Sequence, residues 1–127
     1  MKFSSLFYLL VTLCTVCHAG EILAKVLSND TFDKLSIRQA GVTARKMATN
    51  DFQAGRFALL YISKDPWNDA ANAYLKSNYG VDRYFNPIRQ TDPMLNAIEV
   101  YNETMQDLLK KKFGKDVIKE ALEKAAR

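Results

Sequence analysis

Histidine and cysteine are nearly missing from this chain. Its 127 residues contain two cysteines and one histidine, and all three lie close together as Cys14, Cys17 and His18. Everything after residue 18 lacks a thiol and an imidazole. That absence excludes zinc and copper sites of the usual nitrogen and sulfur type downstream. It also excludes Ser-His-Asp and Cys-His catalysis, because both need an imidazole to take the proton. Glycine is scarce too, at five residues with no two adjacent, so no Gly-rich turn cradles a phosphate. No stretch resembles an oxygen-ligand calcium loop. The expectation is a protein with no metal and no cofactor.

The long apolar run that would span a membrane is absent as well. Phe3 to Val16 is mostly apolar but falls short of the roughly 20 residues a spanning helix needs. It has the order of an export signal instead: Lys2, the apolar core, then Cys17-His18-Ala19 with small residues where a signal peptidase reads. Residues 1–19 therefore read as a cleavable signal peptide and 20–127 as one globular domain. Cleavage would remove both cysteines and the histidine, leaving a cysteine-free body in the periplasm or outside the cell with no membrane span. Such a body lacks the disulfides common in small exported domains. It must rest on a hydrophobic core, which about 108 residues can supply.

The net charge of +4 is unevenly spread. From Gln106 onward stand Lys110, Lys111, Lys112, Lys115, Lys119, Lys124 and Arg127 against Asp107, Asp116, Glu120 and Glu123. Lys110, Lys111, Lys112 and Lys115 form a basic helix able to meet an anionic polymer or lipid. Short charge runs more often mark a solvated face. Lysines at a helix C-terminus also suit its dipole. No nucleic-acid partner is expected.

Periodicity gives the elements. Asn29 or Asp30 caps a helix running from Thr31 to about Phe52, with Ile37, Ala40, Ala44, Met47 and Ala48 on its apolar face. Gly41 on that face allows close packing. Arg56 to Ile62 reads as a strand buried on both faces. Asp65 then caps a helix with Pro66 in its first turn, and Gly80 closes it. Val81 to Ile88 is a weaker second strand. Thr91-Asp92-Pro93 repeats the cap before a long amphipathic helix through Phe113, and Gly114 separates a final helix. A shift of 27 residues aligns Arg56-Phe57 with Arg83-Tyr84, Asp65-Pro66 with Asp92-Pro93, and Tyr74 with Tyr101. Strand, helix, strand in this spacing implies two parallel strands joined right-handedly. The fold class is α/β: a small parallel two-stranded sheet covered by dominant helices. An all-α bundle is the alternative if Arg56 to Ile62 is helical.

Candidate sites follow from this topology. Strand C-terminal ends are where open α/β sheets place ligands. Lys64, Asp65, Trp67, Tyr84, Arg89 and Asp92 are brought there. Lys64 and Arg89 near two helix N-termini can hold an anion. Asp65 and Asp92 are candidate paired carboxylates, but capping keeps a carboxylate ionised and makes it a poor general acid. Ser63 and Lys64 are adjacent on a strand end and point apart. Most aromatics, including Phe57, Tyr61, Tyr74, Tyr79, Phe85 and Tyr101, belong to the core. Trp67 and Tyr84 can border a partner surface. Asn29-Asp30-Thr31 and Asn102-Glu103-Thr104 match the N-glycosylation pattern.

Tyr101-Asn102-x-x-Met105 followed by Phe113-Gly114-Lys115-Asp116 resembles a C-terminal pattern of small exported bacterial proteins of unassigned function. Asp51, Gly55 and the strand Arg56 to Ile62 are similarly placed. The resemblance implies a bacterial, periplasmic setting and carries no catalytic residue. Taken together, the sequence leads to a non-catalytic exported protein that binds a protein partner in an inhibitor, immunity or accessory role. Two other readings stay open. One is a small hydrolase or transferase using Asp, Lys or Tyr at the strand ends. The other is anionic polymer or lipid binding through the Lys-rich helix.

Overall fold

The computed structural model of the chain describes residues 27–63 and 67–127. The expected signal peptide and the residues Lys64, Asp65 and Pro66 lie outside them.

The first helical segment is shorter and broken where one continuous helix is expected. A single turn, α1 (Asn29–Phe32), follows Ser28 and ends at Asp33. The chain restarts at Ser36 and runs as α2 (Ile37–Gln53). The restart has a local cause. Ser36 Oγ accepts the Gln39 N–H, and Gln39 Oε1 accepts the Ser36 N–H, so a reciprocal capping box satisfies two donors of the first turn. Neither Asn29 nor Asp30 is the cap.

Strand β1 (Phe57–Tyr61) follows Gly55, whose φ of 77° suits a residue without Cβ. Helix α3 (Asp69–Tyr79) is capped by Asn68, which accepts the Ala71 N–H, three residues beyond the expected Asp65 cap. Gly80, at φ 67°, ends it and turns directly into β2 (Val81–Phe85). The second strand stops three residues short of Ile88. Helix α4 (Asp92–Phe113) has Thr91 at its cap position, so Asp92 is its first residue and the expected cap role of Asp92 is wrong. An aspartate at the first helical position still favours the positive end of the dipole. Gly114, at φ 70°, separates α5 (Val117–Ala125), capped by Asp116.

The two strands are parallel, with Phe57 opposite Val81 and Tyr61 opposite Phe85. This is the α/β arrangement expected from the strand-helix-strand spacing, and the all-helical alternative fails at β1. The register offset is 24 residues and the cap offset from Asn68 to Thr91 is 23, so the 27-residue sequence match does not correspond to a structural repeat.

Helix α4 is the centre of the core, with Met94, Ala97, Ile98, Tyr101, Met105 and Leu109 buried. Helix α2 lies along it through Ala40, Ala44 and Ala48. Gly41 permits this approach: a Cβ there would sit 2.9 Å from Asn96 Nδ2, which donates to the Ile37 carbonyl. On the sheet side, the buried Leu59 and Leu60 bring β1 against α4. The Asn102 side chain accepts the Leu60 N–H and donates to the Leu60 carbonyl, both at 2.8 Å. One amide on a helix thus stands in for a third strand at Leu60, taking the N–H and C=O that an open edge would offer to another chain.

A buried ionic contact ties the far ends of these elements together. Asp51, at the end of α2, accepts from Arg56 Nε at 2.9 Å and from the Tyr101 hydroxyl at 2.7 Å. Burial, then the bond to Asp51, pushes the Tyr101 phenol well above its ordinary value.

The residues of the C-terminal sequence pattern all have structural work. Tyr101 and Met105 fill the core and Asn102 closes β1. Phe113 packs on Phe57 and Tyr79, Gly114 is left-handed, and Asp116 caps α5.

Candidate partner-binding surface

Successive strand residues point to opposite faces, so the register places Phe57, Leu59, Tyr61, Val81, Arg83 and Phe85 on one face. Toward the strand N-termini that face is filled by the core. At the C-terminal ends it opens. The Tyr61 and Phe85 rings pack at a tilt of 48° with centroids 5.6 Å apart. The Arg83 guanidinium lies 4.2 Å from the Trp67 ring centroid and 5.1 Å from that of Tyr61. Both distances are within cation–π range. Phe85 is 56% exposed and Tyr84, on the opposite face, 36%. Partial burial, then the nearby Asp82 charge, raises the Tyr84 phenol above its ordinary value. Asp82 itself pairs with Lys76 at 3.1 Å.

The sequence-predicted residues scatter around this patch. Trp67 is half-buried against Arg83, and Tyr84 is exposed on the other face of the sheet. Arg89 is elsewhere. Its guanidinium meets Asp33 at 3.1 Å. Its backbone N–H and C=O are taken by the Asn29 side chain, each at 2.9 Å. Asp33 also accepts from Thr91 and Asn29, and the Thr91 bond is the first cause holding its carboxyl below the usual range. Arg89 borders an open depression of about 270 Å³ lined by Leu27, Asn29, Asp30 and Asn86. With Asp30 and Asp33 close by, its charge is already countered. Asp92 is exposed on the first turn of α4.

The basic helix does not present four equivalent lysines. Lys110 and Lys111 are exposed. Lys112 lies 5.7 Å from the Phe57 ring. Lys115, beyond Gly114, pairs with Glu120 at 2.8 Å. Glu120 is the hub of a second cluster, accepting the Tyr74 hydroxyl at 2.5 Å and the Tyr79 hydroxyl at 2.7 Å. Lys115 first, then Tyr74 and Tyr79, lowers its carboxyl to about 2. Glu120 in turn raises Tyr74 to about 12. Every oxygen of Glu120 is engaged, so this group locks α5 to α3 and is poorly placed to move a proton at neutral pH.

Sequence reasoning missed Arg83 and took Phe85 for core. The signal was present: alternation in Val81 to Phe85 puts Arg83 and Phe85 on one face, next to Tyr61 once the strands are parallel. Among the described residues, no group of three or more His, Cys, Asp or Glu could hold a metal ion, and no helix is long and apolar enough to cross a membrane.

No family model, curated protein or solved structure matches this chain.

Proposed function

We propose that this is an exported protein that acts by binding a protein partner, with the C-terminal end of the sheet as the contact surface, Tyr61, Trp67, Arg83 and Phe85 on one face and Tyr84 on the other. The observation that carries the reading is the stacked Arg83 with exposed Phe85 and Tyr84 at one end of the sheet. Trp, Tyr, Phe and Arg are the residue types enriched at interface centres. A phenylalanine left half in water gains on covering: about 1.5–3 kcal/mol for full burial of such a side chain. The stack holds Arg83 and Trp67 in one arrangement, which lowers the ordering cost of binding. The export signal and the resemblance to small exported bacterial proteins support an envelope setting.

The test is capture of the purified protein's partners from a bacterial envelope extract, with thermal shift against small-molecule extracts in parallel. The reading expects one protein retained in stoichiometric amount and competed by excess free bait. A small molecule that raises the melting temperature, with no retained protein, would overturn it in favour of an enzyme or carrier.

A further inference from the structure

A second surface carries a different message, written in charge. From Lys34 to Asn50 the chain holds Lys34, Arg38, Arg45 and Lys46 and no acidic residue. On α4 every charged residue before Lys110 is acidic: Asp92, Glu99, Glu103 and Asp107. The net charge therefore hides a sharp separation between two neighbouring helices.

These helices run side by side in the same direction. Asn96 donates to Ile37 at the start of α2, and Tyr101 donates to Asp51 near its end. Gly41 and Val100 meet in the seam between them. Arg38 and Arg45 flank Gly41 at three and four residues, and Glu103 and Asp107 follow Val100 at three and seven, so both charged rows border the seam on its solvent side. Arg38, Arg45, Glu99, Glu103 and Asp107 are all exposed. Among the described residues none of these five forms a salt bridge. Apolar side chains stand among them: Val42 is 45% exposed and Ile37 51%.

We propose that this face pairs with a second copy of the same chain, across a two-fold axis parallel to the two helices. Rotation about such an axis sets α2 of one copy over α4 of the other, and the reverse, with chain directions preserved. The row Arg38, Arg45 then faces the row Glu99, Glu103, Asp107 twice over, and Val42 is covered in both copies. A two-fold interface must be self-complementary in this way. A surface of one sign could only repel itself, and a surface with the charges interspersed would give no register. The contact is small. Helix α2, about 25 Å long, sets the length of the contact, and two helices roughly 10 Å apart offer less than the usual area per partner, so the dimer is weak. It is also sensitive to salt, because its charges sit at the surface.

Sedimentation of the purified protein at low and high salt tests this, together with two charge-reversed variants. The wild type sediments as a dimer at about 1 mM, the concentration a weak contact requires, at low salt and as a monomer at high salt. Arg38→Glu/Arg45→Glu and Glu99→Lys/Glu103→Lys each sediment as monomers with unchanged far-ultraviolet circular dichroism. Their equimolar mixture sediments as a dimer, since each restores the sign the other lost. A wild type that stays monomeric at low salt overturns the proposal. So does a dimer that survives either reversal, or a mixture that remains monomeric.

Discussion

Replacing Asn102 by alanine removes both hydrogen bonds that close the outer edge of β1. The Leu60 N–H and C=O each lose a partner held at 2.8 Å. Leu60 is buried, whereas Asn102 itself is half-buried, so water regains partial access. A lost bond costs about 1 kcal/mol net when water replaces it, and about 1–3 kcal/mol when the group is left unsatisfied. Two bonds in this mixed setting give about 2–4 kcal/mol, a large part of the 5–15 kcal/mol that holds an ordinary domain. With a urea slope of about 1–3 kcal/mol per molar, the unfolding midpoint falls by roughly 0.7–4 M. Urea unfolding followed by circular dichroism reads this directly. Asn102→Asp is the informative companion. It keeps an acceptor for the Leu60 N–H but sets a carboxylate against the Leu60 carbonyl, so it too must lose stability despite near-identical shape. Amide exchange at Leu60 should accelerate selectively in Asn102→Ala. A midpoint within about 0.2 M of wild type for both variants would refute the idea that this amide substitutes for a strand.

Four further outcomes follow from other contacts. Glu120 has a lowered carboxyl pKa, so its contribution is full above the ordinary carboxylate range and disappears as pH falls from about 5 toward 2. Glu120→Gln should flatten stability against pH in that window, and an unchanged acid profile would contradict the cluster. Tyr74 is raised to about 12 because its neutral form is the one bound, so its contribution persists below pH 10 and fades as pH rises through 12. Spectrophotometric titration should show Tyr74 ionising late beside the buried Tyr101, and Glu120→Ala should return only Tyr74 to the ordinary range. Gly41→Ala would gain about 1 kcal/mol of helix propensity but displaces the Asn96 amide, losing a bond of similar worth. Thermal melts should show almost no change in the wild type and a clear gain when Asn96 is already alanine. Finally, Asn102 uses both ends of its amide on Leu60, so folded protein made in a eukaryotic secretory pathway should carry no glycan at Asn102. Intact mass would expose an exception.

Much of the architecture was legible in residue order. The parallel strand pair follows from Arg56 to Ile62, a helix-length crossover and a second apolar stretch. Gly80 and Gly114 mark helix ends because left-handed backbone favours glycine. Helix starts were harder to place. Asp-Pro is a strong cap pattern, yet Asn68 and Thr91 take the cap positions, because tertiary contacts choose among several short polar side chains within one turn. The break before Ser36 had a readable signature, Ser-x-x-Gln, which the apolar periodicity of the surrounding stretch concealed. The side-chain clusters were not legible. Glu120 meets Tyr74 and Tyr79 across 46 and 41 residues, and no local rule brings them together. The surface patch was half legible: Trp67 and Tyr84 stood out as amphipathic rings, while Arg83 and Phe85 needed the strand register to place them beside Tyr61.

The exposed end of the sheet is where partner binding is tested most directly. Tyr84→Ala/Phe85→Ser trims two solvent-facing rings and should leave the melting temperature nearly unchanged. Its affinity for the protein captured from the envelope, measured by titration calorimetry beside the wild type, should fall by at least about 100-fold, the loss of roughly 3 kcal/mol that truncating two interface rings brings. Equal affinity in the trimmed variant would show that the partner binds elsewhere and that these rings have no part in recognition.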